Sequence, residues 1–265
     1  MDWGGSGDAS RYDRAIPLGV NVHMPSWRQN LRRLLPIPLR QFAQRAGIYL
    51  GDWMYLDTLR RRGFAPAFII DIGAYHGDWA RFARRIFPAT EILMIEGQPE
   101  LLPRLHTLCA REERLKVASV LLGATDGERV RFDLHETGSS VYPEGGTSKL
   151  SLDCELTRLD TVLARSERSS LPIDVLKLDV QGYEVEVLKG AQSALSRTEI
   201  AVLEASLLPI NHGCPLIHDV FAFMHEAGLQ LIDIGGQTRL RTGALWQTDL
   251  VYARIGSRWT RAQDT

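Results

Sequence analysis

The chain predicts an α/β fold, a doubly wound and mostly parallel sheet with helices on both faces, preceded by an N-terminal helical extension. Three observations carry this expectation. Short apolar runs that lead into acids and glycines recur at 68–72, 92–95 and 175–178. Amphipathic stretches with helical spacing lie between and after them. A length of 265 residues with 45% hydrophobic content is enough to bury a full core as one domain plus an extension.

Residues 1–26 are rich in Gly, Ser and Asp, contain Pro17 and Pro25, and read as an irregular arm. Residues 27–63 read as the helical extension, divided by Pro36 and Pro38 into at least two helices. Its Arg28, Arg32, Arg33, Arg40, Arg45, Arg60, Arg61 and Arg62 meet only Asp52 and Asp57. The expectation is that these helices cover the ligand site or build a homodimer contact, in preference to lying on a membrane surface. Residues 64–256 carry the sheet, and 257–265 form a short tail.

Within the sheet-bearing unit, the run 68–72 ends in Asp71-Ile72-Gly73 and opens through Gly77 into a helix. Trp79, Phe82, Ala83, Ile86 and Phe87 share one face of that helix, while Asp78, Arg81, Arg84 and Arg85 share the other. Glycines at 73 and 77 permit a sharp turn and a close ligand approach. A dinucleotide fingerprint needs Gly-x-Gly-x-x-Gly, and Tyr75 stands at its middle glycine. Asp71 would also repel phosphate. S-adenosylmethionine makes the opposite demand, because its ammonium and sulfonium are stabilised by a carboxylate. The next apolar run, 92–95, ends in Glu96-Gly97, and a carboxylate there suits both hydroxyls of a ribose. Further on, 129–134 and 150–156 read as paired strands around a polar loop, 138–146. Strands at 174–179, 199–204, 229–234 and 249–254, with helices near 184–197 and 216–227, complete the alternation.

The segment Lys177-Leu178-Asp179-Val180-Gln181-Gly182-Tyr183-Glu184-Val185-Glu186-Val187-Leu188-Lys189-Gly190-Ala191 makes the reading specific. Together with Asp71-Ile72-Gly73-Ala74 and Leu159-Asp160, it resembles the signature of the FkbM family of S-adenosylmethionine-dependent methyltransferases, roughly Lys-x-Asp-x-Glu-Gly-x-Glu-x-x-Val-Leu-x-Gly-Ala. The resemblance runs from about residue 53 to about residue 254 and implies the Rossmann-like class I methyltransferase fold. It places Asp71, Gly73, Ala74, Tyr75, Gly77, Glu96 and Gly97 at the cofactor. It also places 118–129, with Gly123-Ala124 and Asp126-Gly127, in a third cofactor segment, and Ser139, Ser140 and Tyr142 beside the cofactor or acceptor. Leu203-Glu204-Ala205-Ser206 resembles the fifth strand and 246–252 the closing strand. Two positions depart from the family pattern, Tyr75 for the usual Asn and Gln181 for the usual Glu.

The substrate class implied by the resemblance is a hydroxyl of a small molecule, such as a sugar or a secondary-metabolite scaffold. Methyl transfer to an alcohol must dispose of a proton, by a carboxylate or imidazole within reach or by a divalent metal that acidifies the hydroxyl. Asp179, at the carboxyl edge of the sheet, is the expected base or base-orienter and also a cofactor contact. His212, in Pro209-Ile210-Asn211-His212-Gly213, is an alternative base, and Glu204 is placed either to orient the acceptor or to join Asp179 at a metal. His76 suits a neutral hydrogen-bonding role. No residue set is assigned to a metal, and magnesium is an open option. The competing readings are a nicotinamide-dependent oxidoreductase and a cofactor-binding protein without activity, the latter raised by Gln181.

A formal net charge of -1 gives no footprint for nucleic acid. Only Lys116, Lys149, Lys177 and Lys189 of the 31 basic residues are lysine, which reads as codon bias. Cys109, Cys154 and Cys214 are odd in number and far apart, so reduced thiols are expected. No apolar run suits a bilayer and no leader pattern begins the chain, so stable membrane insertion is not expected and the expected location is cytoplasmic.

Overall fold

The computed structural model describes residues 53–133, 151–209, 213–240 and 242–261. Residues 1–52, Ser139, Ser140, Tyr142 and His212 lie outside the described residues. The described part of the extension is the helix α1 (Met54–Arg61). It is followed by β1 (Phe68–Ile72), α2 (Asp78–Ile86), β2 (Glu91–Glu96), α3 (Leu102–Arg111), β3 (Leu115–Ser119), β4 (Leu121–Leu122) and β5 (Arg129–Asp133). Then come β6 (Ser151–Thr157), α4 (Leu159–Ala164), β7 (Ile173–Leu178), α5 (Glu184–Lys189), α6 (Gln192–Ser196), β8 (Thr198–Ser206), α7 (Ile217–Glu226), β9 (Leu229–Arg239) and β10 (Leu245–Arg254).

Seven strands form one sheet in the order β3-β2-β1-β7-β8-β10-β9. The neighbours from β3 to β8 are parallel, and β10 runs antiparallel to both β8 and β9. A smaller sheet, β4-β6-β5, lies apart from it. Its β5 and β6 are the antiparallel pair expected around the polar loop.

The central strands are covered on both faces, which is why β1 reads as a continuous apolar run. Phe68, Ile70 and Ile72 enter one buried core, and Ile69 enters the other. On β10, Leu250 and Tyr252 join the first core, while Val251 and Ala253 join the second. The same two-residue alternation therefore builds both layers. Helix α2 buries Trp79, Ala80, Phe82, Ala83 and Ile86 and leaves Arg81 and Arg85 exposed, as its spacing requires. Gly77 caps its start at φ 76°.

Two elements differ from expectation. The helix read over 184–197 is broken into α5 and α6 around Gly190. A Cβ at Gly190 would stand 2.0 Å from the carbonyl oxygen of Gly123, so close approach of two backbones interrupts the helix. The last two strands are longer than expected. The Gly235-Gly236 pair reads as punctuation in sequence, yet β9 continues through it. Gly235 is the residue on which α1 rests, because a Cβ there would lie 2.6 Å from the Tyr55 ring and 2.9 Å from Asp249 Cβ.

All three cysteines are free thiols, and no described helix is long and apolar enough to cross a membrane. The Gly190 contact gives a direct stability test. Gly190→Ala is expected to lower unfolding free energy by about 1–3 kcal/mol through overpacking against backbone, read as a lower urea midpoint with an unchanged slope.

Candidate active site

Strand order reverses between β1 and β7, so the connections leave these neighbours in opposite directions and open a crevice at their carboxyl ends. Ile72, Gly73 and Tyr75 at and after the end of β1, Glu96, Gly97 and Gln98 at and after the end of β2, and Asp179 and Gln181 after β7 line a cavity at that point. Leu121, Leu122, Phe132, Tyr183 and Val187 supply an apolar wall.

Gly73 sits at φ 72°, and a Cβ there would stand 2.0 Å from the Asp179 carbonyl oxygen. Only glycine lets the two central turns close on each other. The Gly73 and Ala74 amides both donate to Ile95 O, at 3.0 and 3.2 Å, which ties the first turn to β2. Tyr75 follows at φ 49°, a left-handed conformation that points its amide N–H to Glu96 Oε2 at 2.7 Å. Gln98 N donates to Glu96 Oε1 at 2.9 Å. Glu96 is only 5% exposed, and burial pushes its carboxyl above the usual value against the pull of these two amides. Each oxygen keeps lone-pair capacity toward the cavity, because a carboxylate accepts about four hydrogen bonds.

Asp71 and Lys177 are partners in the register of β1 and β7, so their side chains share a face. Asp71 is fully buried, with Oδ1 3.0 Å from Lys177 Nζ. The ammonium also lies 3.6 Å from Asp179 Oδ2, donates to Gly73 O at 3.3 Å, and sits 5.8 Å from the Trp79 ring centroid. Burial opposes its charge, but Asp71 and Asp179 outweigh it and hold the lysine above its ordinary value. Trp79 in turn donates from Nε1 to the Tyr55 hydroxyl at 2.9 Å, which fastens α1 to this corner.

Beyond Asp179 the wall is built of carboxyls and amides. Gln181, at φ 55°, donates from Nε2 to Asp179 Oδ1 at 3.0 Å and to Glu204 Oε2 at 2.9 Å. Gln247 Nε2 donates to the same Glu204 oxygen at 2.9 Å. Burial first, then the Asp179, Asp249 and Glu184 carboxyls, push Glu204 well above the usual carboxylate range. Glu184 is 3% exposed and accepts from Val180 N at 2.9 Å and Gly182 N at 3.2 Å, so it shapes the turn that carries Gln181. Burial raises its pKa to about 7.

The structure therefore gathers Gly73, Tyr75, Glu96, Gly97 and Asp179 on one cavity, with Glu204 joined through Gln181. Other sequence-predicted residues take other places. Asp71 does not line the cavity, and the ammonium beside it is that of Lys177. Ala74 lies in the second core. Gly77 packs on α3, where a Cβ would meet Leu108 at 2.7 Å. The lining stops at Leu122, Gly123 serving the contact with Gly190 and Ala124 standing beyond it. Asp126 accepts from Arg158 N and Thr161 Oγ1 at 2.8 and 2.7 Å and anchors α4. His76 stacks on Tyr75 at 3.8 Å between ring centroids. Sequence reading gave no role to Lys177, Gln98, Phe132 or Gln247. Lys177 had a legible signal, since a lysine inside an apolar strand needs a buried partner. Gln247 had none. Among the described residues no group of three or more His, Cys, Asp or Glu side chains is arranged to hold a metal.

A seven-stranded sheet of this order, with a carboxylate after β2 and the crevice at the reversal, is the class I methyltransferase fold. The chain belongs to the FkbM methyltransferase family: residues 71–231 match the methyltransferase FkbM domain. It is 25% identical over 157 residues to the 2-O-methyltransferase NoeI of Sinorhizobium fredii, covering 52% of this chain and 63% of that protein. The chain thus spans less than two thirds of that relative's length. Among solved structures, the methyltransferase FkbM from Methylobacillus flagellatus KT shares 18% identity over 71% of this chain and 43% of its own, with a TM-score of 0.47. The magnesium protoporphyrin IX methyltransferase of Synechocystis, solved with bound SAM, shares 11% identity over 76% of each chain, with a TM-score of 0.45.

Glu184 links the site to stability. Its pKa is raised in the fold, so its contribution is fully present below the unfolded value of about 4.3 and is lost as pH rises through about 7. Glu184→Gln keeps the acceptor oxygen without the charge. Thermal unfolding across this window is expected to show wild type losing stability on the order of 3 kcal/mol that the variant retains.

Proposed function

We propose that this methyltransferase uses S-adenosylmethionine to methylate a hydroxyl oxygen of a small molecule, a sugar or a secondary-metabolite scaffold. The observation that carries the reading is Glu96, a buried carboxylate on the cavity wall oriented by the Tyr75 and Gln98 amides. Its remaining lone pairs suit a ribose diol, and the apolar wall of Leu121, Leu122 and Phe132 suits a flat base. The turn at Gly73 leaves room for a methionine chain between them and Asp179. These residues fit the cofactor, and none of them suits a phosphate. The name 2-O-methyltransferase, carried by NoeI, favours oxygen as the nucleophile.

When bound, S-adenosylmethionine supplies a methyl carbon on a sulfonium, and transfer to an alcohol leaves a thioether and one proton. Asp179 lines the cavity and takes that proton from the acceptor hydroxyl. Lys177 and Gln181 contact its two oxygens, so its direction is fixed before the acceptor arrives. Glu204, joined to Asp179 through the Gln181 amide, orients the acceptor. The walls exclude water that would compete for the methyl group.

Isothermal titration with S-adenosylmethionine, S-adenosylhomocysteine and NAD, with and without magnesium, tests the cofactor. Selective binding of both adenosyl compounds is expected, and binding of NAD alone would overturn the reading. Glu96→Ala is expected to weaken that binding by roughly 1–3 kcal/mol through lost charge-assisted hydrogen bonds. Unchanged affinity would remove the ribose assignment.

A further inference from the structure

The described residues with positive φ other than glycine are Tyr75 and Gln181, and both line the cavity. Backbone strain of this kind persists where the surroundings fix a side chain. Tyr75 is held so that its amide meets Glu96. Gln181 has a different task, since its backbone is locked by the turn that Glu184 caps and its side chain reaches two carboxyl groups at once.

Asp179 and Glu204 directly follow Leu178 and Leu203, the last register partners of the parallel strands β7 and β8, and approach the same amide nitrogen, at 3.0 and 2.9 Å. Two carboxyls this close require a cation, a shared proton or hydrogen-bond donors between them. Among the described residues no cationic side chain stands between them: Lys177 is directed at Asp71, Asp179 and Gly73 O. The donors are amides. Turning the Gln181 amide over would set its oxygen against both carboxyls, so the network fixes the orientation with Nε2 inward. Gln247 then adds a second amide donor on Glu204 Oε2. With that oxygen accepting twice, Oε1 is the atom left to carry a proton.

We propose that Gln181, supported by Gln247, is a positioning residue that stands in place of a cation between Asp179 and Glu204. It holds Asp179 as the ionised proton acceptor and Glu204 as a neutral acid whose hydroxyl hydrogen-bonds the incoming acceptor, so the site works without a divalent metal. This rests on the hydroxyl-methylation reading. The groups that face Glu204 agree with it: Asp179 after β7, Glu184 on α5 and Asp249 opposite on β10 all disfavour a second charge, against the weaker opposing pull of Lys177 on β7. Tyr55 on α1 faces Asp249 as a buried neutral phenol. Pairs of carboxyls driven to opposite protonation states are the arrangement that separates an acid from a base.

The test uses the full chain saturated with S-adenosylhomocysteine, whose binding is measured first and reports separately on the cofactor reading. Glutamate side-chain carboxyls are labelled with carbon-13 and titrated by NMR, and Glu204→Gln assigns the Glu204 signal. Manganese(II) binding is followed in parallel for wild type, Glu204→Gln and Gln181→Glu. The expected result is that wild-type Glu204 remains protonated through neutral pH, that wild type binds no manganese at this site, and that Gln181→Glu gains manganese affinity of at least about tenfold by presenting three carboxyls. A wild-type Glu204 that ionises in the ordinary glutamate range overturns the proposal, even if Gln181→Glu does not fold. Manganese binding by wild type that Glu204→Gln abolishes overturns it as well. So does a folded Gln181→Glu with no metal affinity and an unmoved Glu204 titration.

Discussion

The Lys177 ammonium, buried among Asp71, Asp179 and the Gly73 carbonyl, is the interaction on which the site depends. A charge removed from water is tolerated only when it is paired and hydrogen-bonded, and here the pairing spans the two central strands. Because Asp71 and Lys177 are register partners on β1 and β7, a one-residue slip would send one of them to the opposite face and leave both charges unpaired. The ion pair therefore sets the register at the crevice. It also holds the two turns, Gly73 from one strand and Asp179 from the next, at the separation the cavity needs.

The corner around this pair is rich in acids. Asp71, Asp179, Glu184, Glu204 and Asp249 share this corner with Lys177, and burial first, then the neighbouring carboxyls, raise the pKa of Asp71, Glu184 and Glu204. The structure distributes the remaining charge with neutral donors: backbone amides on Glu96 and Glu184, side-chain amides on Asp179 and Glu204. Such donors orient a carboxyl without adding a mobile ion. The result is a wall in which two carboxyls, Glu96 and Asp179, line the cavity, each oriented by amide donors.

Close backbone approach does the rest. Gly73 against the Asp179 carbonyl and Gly190 against the Gly123 carbonyl bring segments distant in sequence to contacts that no side chain would permit. The first closes the floor of the crevice. The second breaks the helix after β7 and draws the β4 segment beside it, where Leu121 and Leu122 form the apolar wall. The third close approach, Gly235 under Tyr55, seats α1 on the sheet and carries the Tyr55–Trp79 hydrogen bond toward Lys177.

The sequence alone determined the alternation of strands and helices, the apolar face of α2, the acid after β2 and the family signature, because these are local properties: periodicity, turn chemistry and short motifs survive in one dimension. It also put Glu96 and Asp179 at the carboxyl edge of the sheet, where both line the cavity, since residues at strand carboxyl ends share an edge in any parallel sheet. Which of the motif residues line the cavity follows from long-range packing. Asp71 stands beside Lys177 and off the cavity lining, Gly77 packs against α3, and Gly123 packs against Leu156 while its carbonyl meets Gly190. Gln247 joins Glu204 only through the antiparallel pairing of β10 with β8, a contact across 43 positions of chain that leaves no local trace. Long-range pairing assigns each polar group its partner, and partners decide whether it serves the fold or the chemistry.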